Sequence, residues 1–146
     1  MLRAYLIWTV AAHLVWEIIQ LPLYTIWTQE TLAYNAFAIL HCTAGDVLIA
    51  GASLALSLVI AGRAAWPFER FRLVVSLATG IGIGYTIYSE WLNTGVRLAW
   101  TYSEWMPVVP VLGTGLSPLM QWLVLPPLGM WACRRRLMPS LDEGLA

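Results

Sequence analysis

The chain has 146 residues, of which 60% are hydrophobic and only 11% are charged, whereas soluble domains carry roughly 25% charged residues. A soluble domain of this size has too little interior to hide so much apolar surface, so the composition predicts an integral membrane protein whose partner is the lipid bilayer. Eight basic and eight acidic residues cancel, which argues against a nucleic-acid partner, since phosphate binding requires a clustered positive field.

Four apolar stretches are each near or above the about 20 residues that a helix needs to cross the hydrocarbon core. They cover residues 4–27, 36–61, 73–92 and 116–133. The sequence therefore predicts an all-α integral membrane protein, with residues 1–146 forming a single transmembrane four-helix bundle.

The basic residues alternate between the predicted connections. Arg3 precedes the first stretch, and the connection between the second and third stretches is surrounded by Arg63, Arg70 and Arg72. The fourth stretch is followed by Arg134, Arg135 and Arg136, whereas the other two connections carry Glu30 in one case and Arg97 with Glu104 in the other. Because basic residues in short loops stay in the cytoplasm, the pattern predicts a multi-pass protein with both termini cytoplasmic and a long outer loop between helices 3 and 4.

Two local patterns add detail. In the outer loop, residues 95–105 are predicted to form a short interfacial helix, and residues 106–115 an irregular cover over the outer end of the bundle. On the third helix, Gly80 and Gly84 form a small-x-x-x-small pair, which predicts the close approach of a neighbouring helix.

Ionisable and amide side chains interrupt the apolar stretches. His13, Glu17, Gln20 and Tyr24 follow steps of four, three and four residues, so they share one face of the first helix. Lipid would penalise that face, so it is expected to point inward. The other helices add His41, Cys42, Asp46, Thr86, Glu90, Asn93 and Gln121.

The depth of these residues follows from the rise of about 1.5 Å per residue along a helix. Glu17 and Asp46 both lie about eleven residues from the predicted outer boundaries, and Gln121 and Glu90 lie nearer the surface. The spacing therefore predicts one polar pocket in the outer half of the bundle. Its predicted contacts to a ligand or cofactor are Gln20, Tyr24, Trp91 and Gln121.

The leading hypothesis for this pocket is a divalent transition-metal site. A His and a Glu four residues apart, joined by imidazole and carboxylate groups from neighbouring helices, suit first-row metals such as zinc or iron. The predicted ligands are His13, Glu17, His41, Asp46 and Glu90.

Three alternatives remain open. The first is an enzyme performing acid–base chemistry on a lipid-like ligand (a sterol, an isoprenoid or a fatty chain), with Glu17, Asp46 and Glu90 as catalytic groups. The second is ion conduction through a homo-oligomer. The third is a non-catalytic accessory subunit of a larger membrane complex. A charge at mid-membrane costs about 2.5–3.5 kcal/mol, whereas an interhelical polar bond returns about 0.6 kcal/mol, so the array favours function over packing.

Three fragments carry a resemblance to a known superfamily. They are His13-Leu-Val-Trp-Glu17, Gly45-Asp46-Val-Leu and Trp122-Leu-Val-Leu-Pro126, about a tenth of the chain, and they resemble parts of the four-helix sterol-isomerase and sigma-2 receptor superfamily. The resemblance implies that an intramembrane His and Glu shift a double bond in a sterol. The Gly-Asp element lies on the predicted second helix here, whereas the superfamily carries it on the third.

Overall fold

The computed structural model describes residues 1–137. In this part of the chain the helices are α1 (Leu2–Gln20), α2 (Ile26–Gln29), α3 (Leu32–Ala61), α4 (Phe71–Glu90) and α5 (Leu116–Arg135). No strand forms within residues 1–137; two isolated β-bridges join Tyr24 to Tyr102 and Val108 to Gly115. The predicted all-helical class is therefore confirmed.

Within the described residues, three helical segments could cross a membrane, as judged from their length and apolar composition. They are Leu2–Leu23, Leu32–Ala61 and Phe71–Val96. Most of their large apolar side chains face outward, as Val59 (84% exposed) and Ile19 (71% exposed) illustrate. An aqueous surface would oppose that exposure, so the segments indicate a membrane protein.

The four long helices form a ring in which α1 and α4 each contact both α3 and α5. At the end of the ring that carries both the first residues of α1 and the last residues of α5, the core is apolar. It consists of Tyr5, Leu54, Ala61, Phe71, Val74, Ala78, Met130 and Cys133. The Arg134 guanidinium lies 4.7 Å from the centre of the Phe71 ring at this end.

The first apolar stretch does not continue as one helix to residue 27. α1 ends at Gln20 and is followed by a 3₁₀ turn over Leu21–Leu23 that contains Pro22. Proline lacks an N–H and cannot continue the α-helical hydrogen bonds. Tyr24 then adopts an extended conformation and pairs with Tyr102, and α2 follows as a single turn.

The predicted interfacial helix over residues 95–105 is wrong. α4 instead continues into a π-helical segment over Trp91–Val96, and residues 97–115 form no regular helix. Leu98, two residues after the π-helical segment, has a left-handed backbone with φ of 53°, which is incompatible with a continuing right-handed helix. The loop therefore folds back across the bundle as irregular chain.

The third apolar stretch, which forms α4, was predicted to approach a neighbouring helix closely at Gly80 and Gly84, and these two residues were wrong. A Cβ atom at Gly80 or Gly84 would meet nothing within 4 Å, whereas one at Gly82 would overlap the indole of Trp122. The close approach therefore occurs at the glycine between the predicted pair. It is made by a large side chain of α5 rather than by a second backbone.

Candidate functional site

Polar side chains from three helices meet inside the bundle. α1 supplies His13, Glu17 and Gln20, α3 supplies Asp46, and α5 supplies Gln121. His13 is 1% exposed, Glu17 9% and Gln121 2%. We call these five residues the carboxyl cluster.

The amide of Gln121 joins the two carboxyl groups of this cluster. Its Nε2 lies 3.1 Å from Glu17 Oε1 and 2.9 Å from Asp46 Oδ2. The same atom lies 3.0 Å from His13 Nδ1, and His13 Nδ1 lies 3.0 Å from Asp46 Oδ2.

The hydrogen count assigns the donors. An amide nitrogen carries two hydrogens, but Gln121 Nε2 lies close to three potential acceptors. We therefore assign the amide hydrogens to Glu17 and Asp46, and place a hydrogen on His13 Nδ1 that is donated to Asp46. Asp46 then accepts two hydrogen bonds.

Glu17 is also held from its own helix. Gln20 Nε2 donates to Glu17 Oε1 at 2.7 Å, and Ser117 Oγ donates to Gln20 Oε1 at 2.9 Å. Trp16 Nε1 in turn donates to Ser117 Oγ at 3.3 Å. The position of Glu17 is therefore fixed by hydrogen bonds that extend from α1 to the first turn of α5.

A second acidic site lies on α4. Glu90, 7% exposed, accepts a hydrogen bond from the hydroxyl of Tyr102 at 2.5 Å. The Tyr102 oxygen itself accepts from the Gly115 N–H at 2.9 Å. The buried indole N–H of Trp100 faces Glu90 without completing a hydrogen bond.

Tyr102 and Tyr24 lie outside the three spanning segments, and burial together with Glu90 raises the pKa of both. Burial, and then the hydrogen bond to Glu90, raise the pKa of Tyr102. Burial, and then the charge of Glu90, raise the pKa of Tyr24 well above its ordinary value. The centroids of the Tyr24 and Tyr102 rings lie 5.7 Å apart. Both hydroxyls therefore stay protonated, and Tyr102 acts as the donor to Glu90.

The loop after α4 is tied to the chain that follows α1. Thr25 N–H donates to the Thr101 carbonyl at 3.0 Å, and Ser103 N–H donates to the Leu23 carbonyl at 2.9 Å. Together with the Tyr102–Glu90 bond, these contacts hold residues 100–103 against the bundle.

A cavity of about 310 Å³ lies between the carboxyl cluster and Glu90. Glu17, Gln20, Asp46 and Gln121 line one part of it, and Glu90 with Asn93 line another. The remaining walls include apolar and aromatic side chains, among them Leu21, Ile26, Phe37, Ile39, Ile49, Trp100 and Trp122. The volume is at the lower end of the about 300–1,000 Å³ range of small-molecule pockets, and the mixture of apolar walls with a few polar groups is typical of such sites.

Some of the predicted site residues do not join the others. His41 lines the cavity wall, but its exposed ring stacks on Phe37, with centroids 5.5 Å apart. Trp91, predicted to contact a ligand, is 56% exposed and lies beside Tyr88, outside the residues that line the cavity. Trp91 points away from the cavity because successive residues of a helix are rotated by about 100°, so that Trp91 does not share the face of Glu90.

The predicted metal ligands do not form one cluster. His13 is bonded to Asp46, His41 is stacked on Phe37, and Glu90 is bonded to Tyr102. Within residues 1–137, no group of three or more His, Cys, Asp or Glu side chains is arranged so that it could hold a metal ion.

Several residues of the site were not identified from the sequence. Three of them contact partners on other elements, which a helical pattern does not reveal. They are Tyr102 (to Glu90), Ser117 (to Gln20) and Trp122 (to His13). The repeated tetrapeptide Tyr-Ser-Glu-Trp was the one available signal. The Tyr of the second copy, Tyr102, binds the Glu of the first, Glu90.

These observations define the chain as a helical protein with membrane-compatible helices and an internal cavity that is largely apolar and carries a few polar groups. Comparison of the chain with protein-family models, curated proteins and solved structures gives no match. The resemblance to the sterol-isomerase and sigma-2 receptor superfamily therefore carries no further argument.

Proposed function

We propose that the protein is a membrane-embedded enzyme that binds an apolar, lipid-like molecule in the cavity and transfers a proton to or from it. The observation that carries the proposal is the position of Glu17 and Asp46, bridged by one amide, at the wall of an otherwise largely apolar cavity. A bound apolar molecule in this cavity would lie against acid–base groups that water does not surround.

The carboxyl cluster is suited to hold and release one proton. Two ionised carboxylates in a low-dielectric interior repel each other. A close pair of carboxyl groups therefore holds one proton between them, which removes the repulsion. Asp46 accepts hydrogen bonds from His13 and Gln121, which hold its carboxyl group in place. When Glu17 gives up a proton, the amides of Gln20 and Gln121 already donate to the carboxylate that remains.

We further propose that α5 is a fourth transmembrane helix and that both termini are cytoplasmic. Arg3 and Arg134 lie at the end of the bundle with the apolar core, as expected for the cytoplasmic side. The loop over residues 97–115 then lies on the outer side, at the end where the cavity is found.

The proposal is tested by deuterium transfer. The protein, reconstituted in D₂O with the lipid extract of its own membranes, is expected to incorporate deuterium into a C–H position of one lipid, detected by mass spectrometry. The isosteric change Glu17→Gln replaces the carboxyl group by an amide that can serve neither as acid nor as base, so incorporation is expected to fall by about 100-fold or more. Glu69→Gln, at an exposed acid outside the helices, is the matched control and is expected to retain full incorporation.

Two results would overturn the proposal. One is incorporation in Glu17→Gln equal to that in the unmodified protein. The other is an absence of incorporation together with a stoichiometric partner chain in pull-down, which would support the accessory-subunit alternative.

A further inference from the structure

The charged groups that line the cavity differ in whether the protein itself satisfies them. Glu17 accepts from Gln20 and Gln121. Asp46 accepts from His13 and Gln121, and Glu90 accepts from Tyr102. Every acid of the cavity therefore has a donor from the chain.

Arg97 is the exception. It lines the same cavity and is exposed, and within residues 1–137 its guanidinium forms no ion pair and no side-chain hydrogen bond. His41, the other basic side chain of the cavity, has its ring stacked on Phe37. Among the charged groups of the cavity, Arg97 is therefore the one that no group within residues 1–137 satisfies.

The position of Arg97 also separates it from the other arginines. It follows directly on the π-helical segment Trp91–Val96, at the outer-loop end of α4. The remaining arginines lie in the first turn of α1, from the end of α3 to the first turn of α4, or after Cys133. Arg97 thus supplies the cation at the cavity end of the bundle, and Tyr34 and Asn93 also line this cavity.

We infer that the ligand of the cavity is an amphiphile with an anionic oxygen head group, a carboxylate or a phosphate, which binds Arg97 while the apolar chain enters the cavity. A guanidinium presents several N–H donors in a planar fork that matches both groups. An apolar chain entering beneath the head group would lie against apolar walls that include Phe37 and Ile49, in the cavity that Glu17 also lines. This inference rests on the proposed function and specifies its substrate class.

The inference is tested by binding to three probes that share one chain. Protein in nanodiscs of phosphatidylcholine is titrated with decanoate, decyl phosphate and decanol, and empty nanodiscs supply the partition background. The unmodified protein is expected to bind at least one of the two anions about tenfold more tightly than decanol, as a charged hydrogen bond would produce. The anion that binds more tightly identifies the head group.

Two arginine variants separate the head-group contact from a general charge effect. Arg97→Gln is expected to weaken binding of the preferred anion about tenfold and to leave decanol binding unchanged. Arg63→Gln removes an exposed charge after the end of α3 and is expected to change neither.

The outcomes distinguish this inference from the proposed function. If all three probes bind with equal affinity, or if Arg97→Gln keeps the preference for the anion, Arg97 is only a solvated interfacial residue and the inference is overturned. The cavity proposal survives that result. If none of the probes binds above the nanodisc background, both are overturned.

Discussion

His13 on α1 and Asp46 on α3 form a buried pair, with Nδ1 and Oδ2 3.0 Å apart, and within residues 1–137 it is the one contact between a basic and an acidic side chain at ion-pair distance. The His13 ring is also edge-on to Trp122, with ring centroids 5.4 Å apart. His13 does not line the cavity. It therefore positions Asp46 from behind rather than contacting a ligand.

This relationship predicts unequal effects of the two histidines on stability. His13→Ala leaves Asp46 without its imidazole donor inside the bundle, so we expect a loss of about 2–4 kcal/mol in the free energy of unfolding. His41→Ala, at an exposed ring, is expected to change it by about 0.5 kcal/mol or less. Thermal unfolding of both variants in the same detergent measures the difference. Equal losses would contradict the assigned role of His13.

Gln121 is predicted to be sensitive to an isosteric change. Gln121→Glu places a third acid between Glu17 and Asp46 and removes a donor from each, so we expect a loss of about 3 kcal/mol or more. Gln29→Glu makes the same chemical change at an exposed residue of α2 and is expected to have little effect. A Gln121→Glu protein as stable as the Gln29→Glu protein would show that the amide does not bridge the two carboxyl groups.

Glycines on one helix are predicted to respond differently to the same substitution. Gly82→Ala places a methyl group into the Trp122 indole, and we expect a loss of about 1–3 kcal/mol from overpacking. Gly84→Ala meets open space and is expected to be neutral or slightly stabilising, because alanine favours the helix. Unfolding midpoints of the two single variants decide the matter. The reverse order would argue for packing against Gly84, as the sequence pattern predicted.

Ionisation of Tyr102 at high pH is predicted to lower the free energy of unfolding of the protein. Its pKa is raised in the folded protein, chiefly by burial and then by the bond to Glu90. The folded state therefore holds the phenolic proton more tightly than the unfolded state, and this contribution is complete below the unfolded pKa of about 10 and lost as pH rises above it.

We accordingly expect Tyr102→Phe to be less stable at neutral pH by about 1–2 kcal/mol and to lose less stability between about pH 9 and pH 11. The raised pKa of Tyr24 contributes in the same direction, so part of the slope is expected to remain in this variant. Tyr85→Phe, at a 47% exposed ring, is the control. An unchanged pH slope in Tyr102→Phe would show that Tyr102 is not the titrating group.

Metal content is predicted to be low. The five ligands expected from the sequence do not converge, since His41 and Glu90 have other partners. Elemental analysis of protein purified without added metal is expected to find substoichiometric zinc and iron, and chelation should leave the unfolding midpoint unchanged. Stoichiometric metal that is lost in both Glu17→Ala and His13→Ala would restore the metal hypothesis.

The sequence alone determined the helical class and the inward face of α1. Apolar length requires helices in a bilayer. The 3.6-residue period placed His13, Glu17 and Gln20 on one face, and these residues are indeed buried together. Counting residues along two helices was enough to predict that Glu17 and Asp46 lie at the same depth, because the rise per residue is constant.

Only the tertiary structure decided which groups pair across elements. The bridging by Gln121, the bond from Tyr102 to Glu90 and the packing of Trp122 on Gly82 depend on the rotation of each helix about its axis and on the irregular path of residues 97–115. A periodic pattern gives the inward face of a helix, but the rotation that brings particular side chains together is set by packing between helices. The path of the loop depends on isolated backbone features such as the left-handed Leu98. For this reason the sequence predicted a polar pocket, but it counted His41, whose ring stacks on Phe37, among the metal ligands. It also counted Trp91, which does not line the cavity, among the ligand contacts.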